Sequence, residues 1–249
     1  MSGGTRHALV TGGGTGIGKA TALALAEAGW DVTICGRRRD VLESVRHERI
    51  HPIAADVTDE ASLAALYDQA CAARGAFDLV IANAGGTASG PATKISREEW
   101  GGVLATNLTG AFLSVQPALA GMIERKAGRI VFIASTAGLK GYAYVAPYVA
   151  AKHGVIGLMR ALAAETATSG VTVNAVCPGF TETELLAGSI ERITQTTGRS
   201  EDEARAALAN PQGRFVAPEE VAAAVLWLAS EDARSVTGQA ISVSGGETW

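Results

Sequence analysis

Seven short apolar runs punctuate the chain, and longer stretches with helical spacing separate them. The runs fall at 7–10, 31–35, 50–54, 79–82, 129–134, 172–176 and 239–243. Being apolar nearly throughout, they predict strands buried on both faces, as in parallel sheets. Between them, Ala- and Leu-rich stretches predict helices at 17–28, 40–46, 60–73, 98–106, 111–125, 148–168 and 218–229. Strands alternating with helices imply a parallel sheet covered on both sides. Right-handed crossovers then give a doubly wound α/β fold. Helix starts carry matching chemistry. Ser96 with Glu99 fits a capping box, and Pro218 followed by Glu219 and Glu220 fits a first turn. The rhythm breaks at 181–214, which is long, polar and interrupted by Gly188, Gly198 and Pro211. This stretch is expected to be an irregular lid on the single domain formed by residues 1–249.

Composition narrows the possibilities. Of 249 residues, 47% are hydrophobic, enough to cover both faces of a sheet. The net charge of −4 is unclustered, and no basic stripe suggests nucleic acid. His7, His47, His51 and His153 lack metal-ligand spacing, so no metal is expected. Cys35, Cys71 and Cys177 are widely spaced and odd in number, and read as small core residues of a reducing compartment. No leader-like apolar start or membrane-long apolar run stands out, so a cytoplasmic location is expected. Trp100 and Trp227 fall on helical patterns and are expected in the core, with His153 packed or at the surface.

The first strand runs into Thr11, Gly12, Gly13, Gly14, Thr15, Gly16, Ile17 and Gly18, and then a helix. Glycines let the backbone approach a pyrophosphate, and the helix N-terminus supplies free amides and partial positive charge. The spacing differs from G-x-G-x-x-G, but the strand–turn–helix context suits a dinucleotide. The second strand ends with Arg37 and Arg38, where an NAD site usually carries a carboxylate. Arginine there can pair with a 2′-phosphate and stack on adenine, so NADP(H) is preferred, with NAD(H) the alternative. Asp56 follows the third strand, where it could accept from the adenine amino group beside Val57, or instead cap the next helix.

Tyr148 and Lys152 lie four apart on one predicted helix face. An ammonium beside a phenol favours the phenolate and lowers its pKa, which would tune the tyrosine for proton transfer. The pair stands in order with other motifs: the 11–18 loop, Asn83-Ala84-Gly85, Asn107, Ser135 and Pro178-Gly179 followed by Thr181 and Thr183. On these motifs the chain resembles the short-chain dehydrogenase/reductases from His7 to its C-terminus. The resemblance implies a Rossmann-type seven-stranded sheet and a homotetramer. It also implies residue roles. Ser135 would polarise a substrate carbonyl, and Tyr148 would donate the proton. Lys152 would lower the tyrosine pKa and hold the nicotinamide ribose. Asn107 would distort its helix and anchor a water. Asn83, Ala84 and Gly85 would line the cofactor cleft. Pro178 and Gly179 would close over the nicotinamide, with Thr181 and Thr183 reaching its carboxamide or a phosphate.

Residues 146–160 and 174–183 resemble ketoreductases of fatty-acid, polyketide and hydroxyacyl-thioester metabolism. A small-molecule carbonyl or alcohol, carried on a thioester, is the expected substrate, and Arg192, Arg199, Arg205 and Arg214 could meet a carrier phosphate. A free secondary alcohol, sugar or cyclic ketone fits the same catalytic set. A non-catalytic nucleotide-binding protein is the reading from another class, but it has no need of Ser135, Tyr148, Lys152 and Asn107 together. Tyr142 and Tyr144 are expected to shape the substrate pocket. Gly101-Gly102 is unusual inside a helix and could mark close packing between copies.

Overall fold

The computed structural model describes residues 5–248. Seven strands form one all-parallel sheet: β1 (His7–Thr11), β2 (Asp31–Gly36), β3 (Ile50–Ala54), β4 (Leu79–Ala82), β5 (Gly128–Ile133), β6 (Val171–Pro178) and β7 (Ala240–Val243). Their order is β3-β2-β1-β4-β5-β6-β7. The direction of winding reverses at β1, whose neighbours are β2 and β4. Doubly wound sheets bind ligands beyond the carboxyl ends of the strands at such a reversal.

Nine helices among the described residues complete the fold: α1 (Gly16–Glu27), α2 (Arg39–Glu43), α3 (Glu60–Arg74), α4 (Arg97–Leu104), α5 (Gly110–Arg125), α6 (Ala146–Glu165), α7 (Glu184–Thr197), α8 (Glu201–Leu208) and α9 (Pro218–Ala229). Side chains alternate along each strand and feed two cores. Leu9 joins the core under α3, α5 and α6, with Tyr67, Val115 and Met159. Ala8 and Val10 join the opposite core under α1, α2 and α9, with Leu25, Leu42 and Val225. The Ser96–Glu99 capping box forms, and Pro218 occupies the first turn of α9.

Three features depart from the sequence reading. The stretch expected to be irregular holds two helices, α7 and α8. Thr183 caps α7, Gly198 ends it at φ 71°, and Ser200 with Glu203 forms a capping box for α8. Apolar Leu186, Ile190 and Ala204 give these helices a small core of their own. Second, α4 and α5 are one continuous helix, joined by a π-helical turn at Ala105–Thr109. The joined helix, residues Arg97–Arg125, is long and apolar enough to cross a membrane by length and hydropathy alone, although no such run stood out in the sequence. In the fold α5 packs on β4 and β5. Third, Trp100 and Trp227, expected in the core, are 41% and 46% exposed. Each sits on the outward side of a helix whose buried stripe is made by other residues, Val103 in α4 and Val221, Val225 and Leu228 in α9.

Candidate active site

The reversal at β1 opens a cleft of about 210 Å³ over the carboxyl ends of β1 to β4. Gly12, Gly14 and Thr15 form its floor, Arg37 and Arg38 one rim, Asp56 and Val57 another, and Ala84 and Gly85 the β4 side. Cys35, Gly36, Val41, Leu42, Ala55 and Thr106 also line it.

Glycine is needed in the loop for two distinct reasons. Gly12 and Gly16 have φ of 64° and 49°, where other residues are strained. Gly18 is buried, and a Cβ there would lie 2.5 Å from Asn83 Nδ2 and collide with the Gly12 carbonyl. Its place is therefore the contact between helix and loop, while Ile17 packs into the core below α1. Asn83 clamps this arrangement. Its Nδ2 donates to the carbonyls of Thr11 (2.8 Å) and Gly12 (3.2 Å). The Thr11 hydroxyl in turn accepts from the N–H groups of Asn83 and Ala84, both at 3.0 Å. The free amides at the start of α1 and the open backbone of the loop suit a pyrophosphate.

At the rim, Arg39 pairs with Glu43 and Arg38 reaches Glu184 at the start of α7 at 3.7 Å. Arg37 has no ion-pair partner among the described residues and lies exposed beside the cleft. Its charge reaches Asp56, whose carboxyl sits below the usual range. The main causes are the N–H and hydroxyl of Thr58, with Arg37 adding a smaller pull. Asp56 does not cap α3; Asp59 does, accepting from Ala61 and Ser62. Asp56 instead closes a local turn on Thr58, at 2.9 Å to its N–H and 2.8 Å to its hydroxyl.

Beyond β5 the second half of the site assembles. Ser135 follows the strand, and its hydroxyl accepts from Ala137 N–H at 3.1 Å. Tyr148 and Lys152 share one face of α6 and turn toward Ser135, Tyr148 partly exposed and Lys152 buried. Lys152 Nζ donates to the Ile133 carbonyl at 2.8 Å and lies 5.5 Å from the centre of the Tyr148 ring. Burial lowers the lysine pKa to about 8. Burial raises the tyrosine above its ordinary value, and the Ser135 hydroxyl pulls the other way. Against the expectation from the sequence, the Tyr148 pKa is raised rather than lowered, and the Lys152 ammonium is directed at the Ile133 carbonyl.

Asn107 sits in the π-helical turn and is 1% exposed. Its Nδ2 donates to the Val103 carbonyl at 2.9 Å, the acceptor that residue 107's own N–H would use in an α-helix. The side chain thereby replaces a backbone partner and accounts for the distortion. The same amide group donates to the Gly86 carbonyl at 2.8 Å and accepts from its N–H at 3.3 Å, tying the helix to the segment after β4.

Pro178 ends β6 and Gly179 follows it. Thr181 and Thr183 are engaged internally. Thr181 donates to the Gly179 carbonyl at 2.9 Å, and Thr183 donates to Thr181 and caps α7. The Thr183 methyl lies against Gly16, so the start of α7 rests on the start of α1. Three of the four lid arginines are likewise used within the chain. Arg192 holds the Ser89 carbonyl, Arg205 pairs with Glu182, and Arg214 grips Glu220 through two bonds. His153 is exposed and bonds the Val149 carbonyl. Sequence reasoning missed Glu247, whose carboxylate meets Tyr142 and Lys140. No local motif marks it, and only the return of the chain end to the site reveals it.

Comparison with known proteins agrees with this geometry. The short chain dehydrogenase family model matches residues 6–193. A putative ketoacyl reductase of the granaticin polyketide synthase from Streptomyces violaceoruber is 41% identical, over 96% of this chain and 92% of that protein. An acetoacetyl-CoA reductase of Rhizobium meliloti is 40% identical over 98% of both. The structure of a single-residue variant of actinorhodin polyketide ketoreductase with NADPH superposes with a TM-score of 0.94 at 38% identity, covering 98% of this chain and 97% of that one. The chain belongs to the short chain dehydrogenase family. It is a nicotinamide-dependent oxidoreductase whose sequence resembles ketoreductases.

Proposed function

We propose that the protein is an NADPH-preferring ketoreductase acting on a 3-oxoacyl thioester or a similarly substituted ketone. The observation that carries the reaction type is the convergence of Ser135, Tyr148 and buried Lys152 beyond the end of β5, one strand from the glycine-loop cleft. When bound, the nicotinamide supplies or takes the hydride. Ser135 donates its hydroxyl hydrogen to the substrate carbonyl oxygen and orients it. Tyr148, whose pKa burial raises, delivers its proton to that oxygen as charge develops. Lys152 holds ribose hydroxyls and serves the proton path, its lowered pKa allowing it to cycle near neutral pH. Asn107 fixes the distorted helix behind that path.

Preference for NADP(H) is supported by Arg37 and Arg38 at the cleft rim, with NAD(H) the weaker alternative. The thioester reading is supported by the printed activities of relatives. Charge in the lid adds little, since only Arg199 of its four arginines has a guanidinium without a hydrogen-bonding or ion-pair partner among the described residues. A cytoplasmic homotetramer, with residues 1–249 as one domain, completes the proposal. The decisive experiment is a screen of NADPH oxidation across acetoacetyl-CoA, simple and cyclic ketones and sugars, with Tyr148→Phe as control. Turnover of the thioester that the Tyr148→Phe variant loses supports the reading. Turnover confined to sugars or cyclic ketones redirects the substrate, and turnover indifferent to Tyr148→Phe refutes the mechanism.

A further inference from the structure

The end of the chain returns to the site and meets it at three points. Gly246 lies beside Pro211 at the foot of the lid. Gly245 leaves no space for a side chain against Asn210, whose Oδ1 holds the turn back from α8 by accepting from Gln212 and Arg214. Glu247 then enters between Gly179, Lys140 and Tyr142. Its side chain is 11% exposed, and it lies 3.4 Å from Lys140 Nζ.

The hydrogen-bond directions follow from chemistry. An ionised carboxylate only accepts, so the Tyr142 hydroxyl must donate to Glu247. Tyr142 therefore accepts from the Thr136 hydroxyl at 2.7 Å. Its single donor is spent and its oxygen is turned toward the chain end. The ring is fixed between Thr136, the neighbour of Ser135, and Phe180, the neighbour of Gly179, which it meets edge-on at 6.0 Å. Phe180 in turn packs on the small core of the lid. The other Glu247 oxygen, Oε2, is buried beside Gly179 and has no hydrogen-bond partner among the described residues.

We infer that Glu247 is a positioning residue of the substrate pocket. It withdraws the Tyr142 hydroxyl and presents the Tyr142 ring, with Phe180, as a fixed apolar wall beside Ser135 and Tyr148. That wall suits the carbon chain or ring next to the reacting carbonyl rather than a polar group. This inference rests on the ketoreductase reading of Ser135 and Tyr148.

The test uses Glu247→Ala, Glu247→Gln, Tyr142→Phe and the Ala–Phe double variant, with acetoacetyl-CoA as probe, or cyclohexanone if the thioester is not turned over. A charge-assisted hydrogen bond is worth on the order of tenfold in an equilibrium. Glu247→Ala is expected to raise KM about tenfold, while kcat and the NADPH Kd from fluorescence titration each stay within about twofold. Tyr142→Phe should give the same rise, the double variant no further rise, and Glu247→Gln, which keeps an acceptor, values close to the starting protein. Independently of turnover, amide exchange across residues 136–145 should quicken in Glu247→Ala and not in Glu247→Gln. Additive KM effects, an unchanged KM, unchanged exchange, or a loss shared by kcat and the NADPH Kd would overturn the inference. If Glu247→Ala does not fold, a normal KM in Tyr142→Phe does so. The ketoreductase reading fails separately, through a Tyr148→Phe variant that keeps its turnover.

Discussion

Lys152 gives its ammonium to the Ile133 carbonyl at 2.8 Å and so stands 5.5 Å from the centre of the Tyr148 ring. The i, i+4 spacing places both side chains on one face, but the charge is directed past the phenol to the end of β5. The acid strength of Tyr148 is therefore set by burial, which raises its pKa, against the Ser135 hydroxyl, which lowers it.

Ser135→Ala removes that lowering influence and the proposed carbonyl donor together. In the reductive direction Tyr148 must be protonated, so a higher pKa moves the alkaline limb of the kcat/KM profile to higher pH. The turnover itself should fall on the order of 10²-fold, the usual cost of one such donor. A profile measured across neutral to strongly alkaline pH checks both. A limb that moves to lower pH would show that Ser135 does not favour the phenolate.

Lys152 carries a stability signature. Its folded pKa is lowered from 10.5 to about 8 by burial. Between those values the unfolded chain binds the proton and the folded chain does not, so stability rises with pH across that window. Below about pH 8 both states are charged, and the full cost of burying the ammonium is present. Urea midpoints of the parent and Lys152→Met should therefore converge or cross in favour of the parent as pH rises through that window. A difference independent of pH would mean that Lys152 keeps an ordinary pKa.

Much of this site was legible because each strand end carries residues with a local signature. The glycines at 12, 16 and 18 mark a turn, and Ser135, Tyr148 and Lys152 sit at fixed offsets from strand or helix starts. What escaped was non-local. Arg38 meets Glu184 and Glu247 meets Tyr142 only because the fold brings distant segments together. The lid helices were missed for a different reason. Gly198 and polar composition read as breakage, yet Gly198 is a left-handed helix stop and Ser200 starts the next helix with a capping box. Trp100 and Trp227 were misplaced because periodicity gives a helix its faces but not the angle at which it meets the sheet.

Among the described residues Arg37 is the rim arginine of the glycine-loop cleft without a carboxylate partner, Arg38 and Arg39 being paired. Arg37→Ala should weaken NADPH binding on the order of tenfold to a hundredfold and NADH binding by less than about twofold. Titration of each cofactor measures this, and equal losses for both would remove Arg37 from 2′-phosphate recognition. Arg38→Ala should have a smaller effect, since its charge is already shared with Glu184.

Asn107 makes three hydrogen bonds from a buried side chain. Asn107→Leu strands the Gly86 N–H and carbonyl and deletes the substitute donor for Val103. A stranded buried group costs about 1–3 kcal/mol, and the half-buried Gly86 groups fall at the low end of that range, so a total loss of about 2–4 kcal/mol is expected from urea unfolding. The π-helical turn should then relax toward regular helix. A loss under about 1 kcal/mol would show that the distortion has another cause.

Two glycines with opposite surroundings give the sharpest contrast. Gly18 has no room for a Cβ, which would press on Asn83 Nδ2 and the Gly12 carbonyl, both parts of the clamp on the glycine loop. Gly18→Ala should destabilise the fold by about 1–3 kcal/mol and weaken NADPH binding, because the loop must move to admit the methyl. Gly101 lies on the exposed side of α4, and a Cβ there meets nothing within 4 Å among the described residues. Gly101→Ala should stabilise an isolated chain by up to about 1 kcal/mol through helix propensity alone. Thermal unfolding together with sedimentation velocity separates the two cases. If Gly101→Ala instead lowers the melting temperature and shifts the sedimenting species, a second copy of the chain must pack closely against α4.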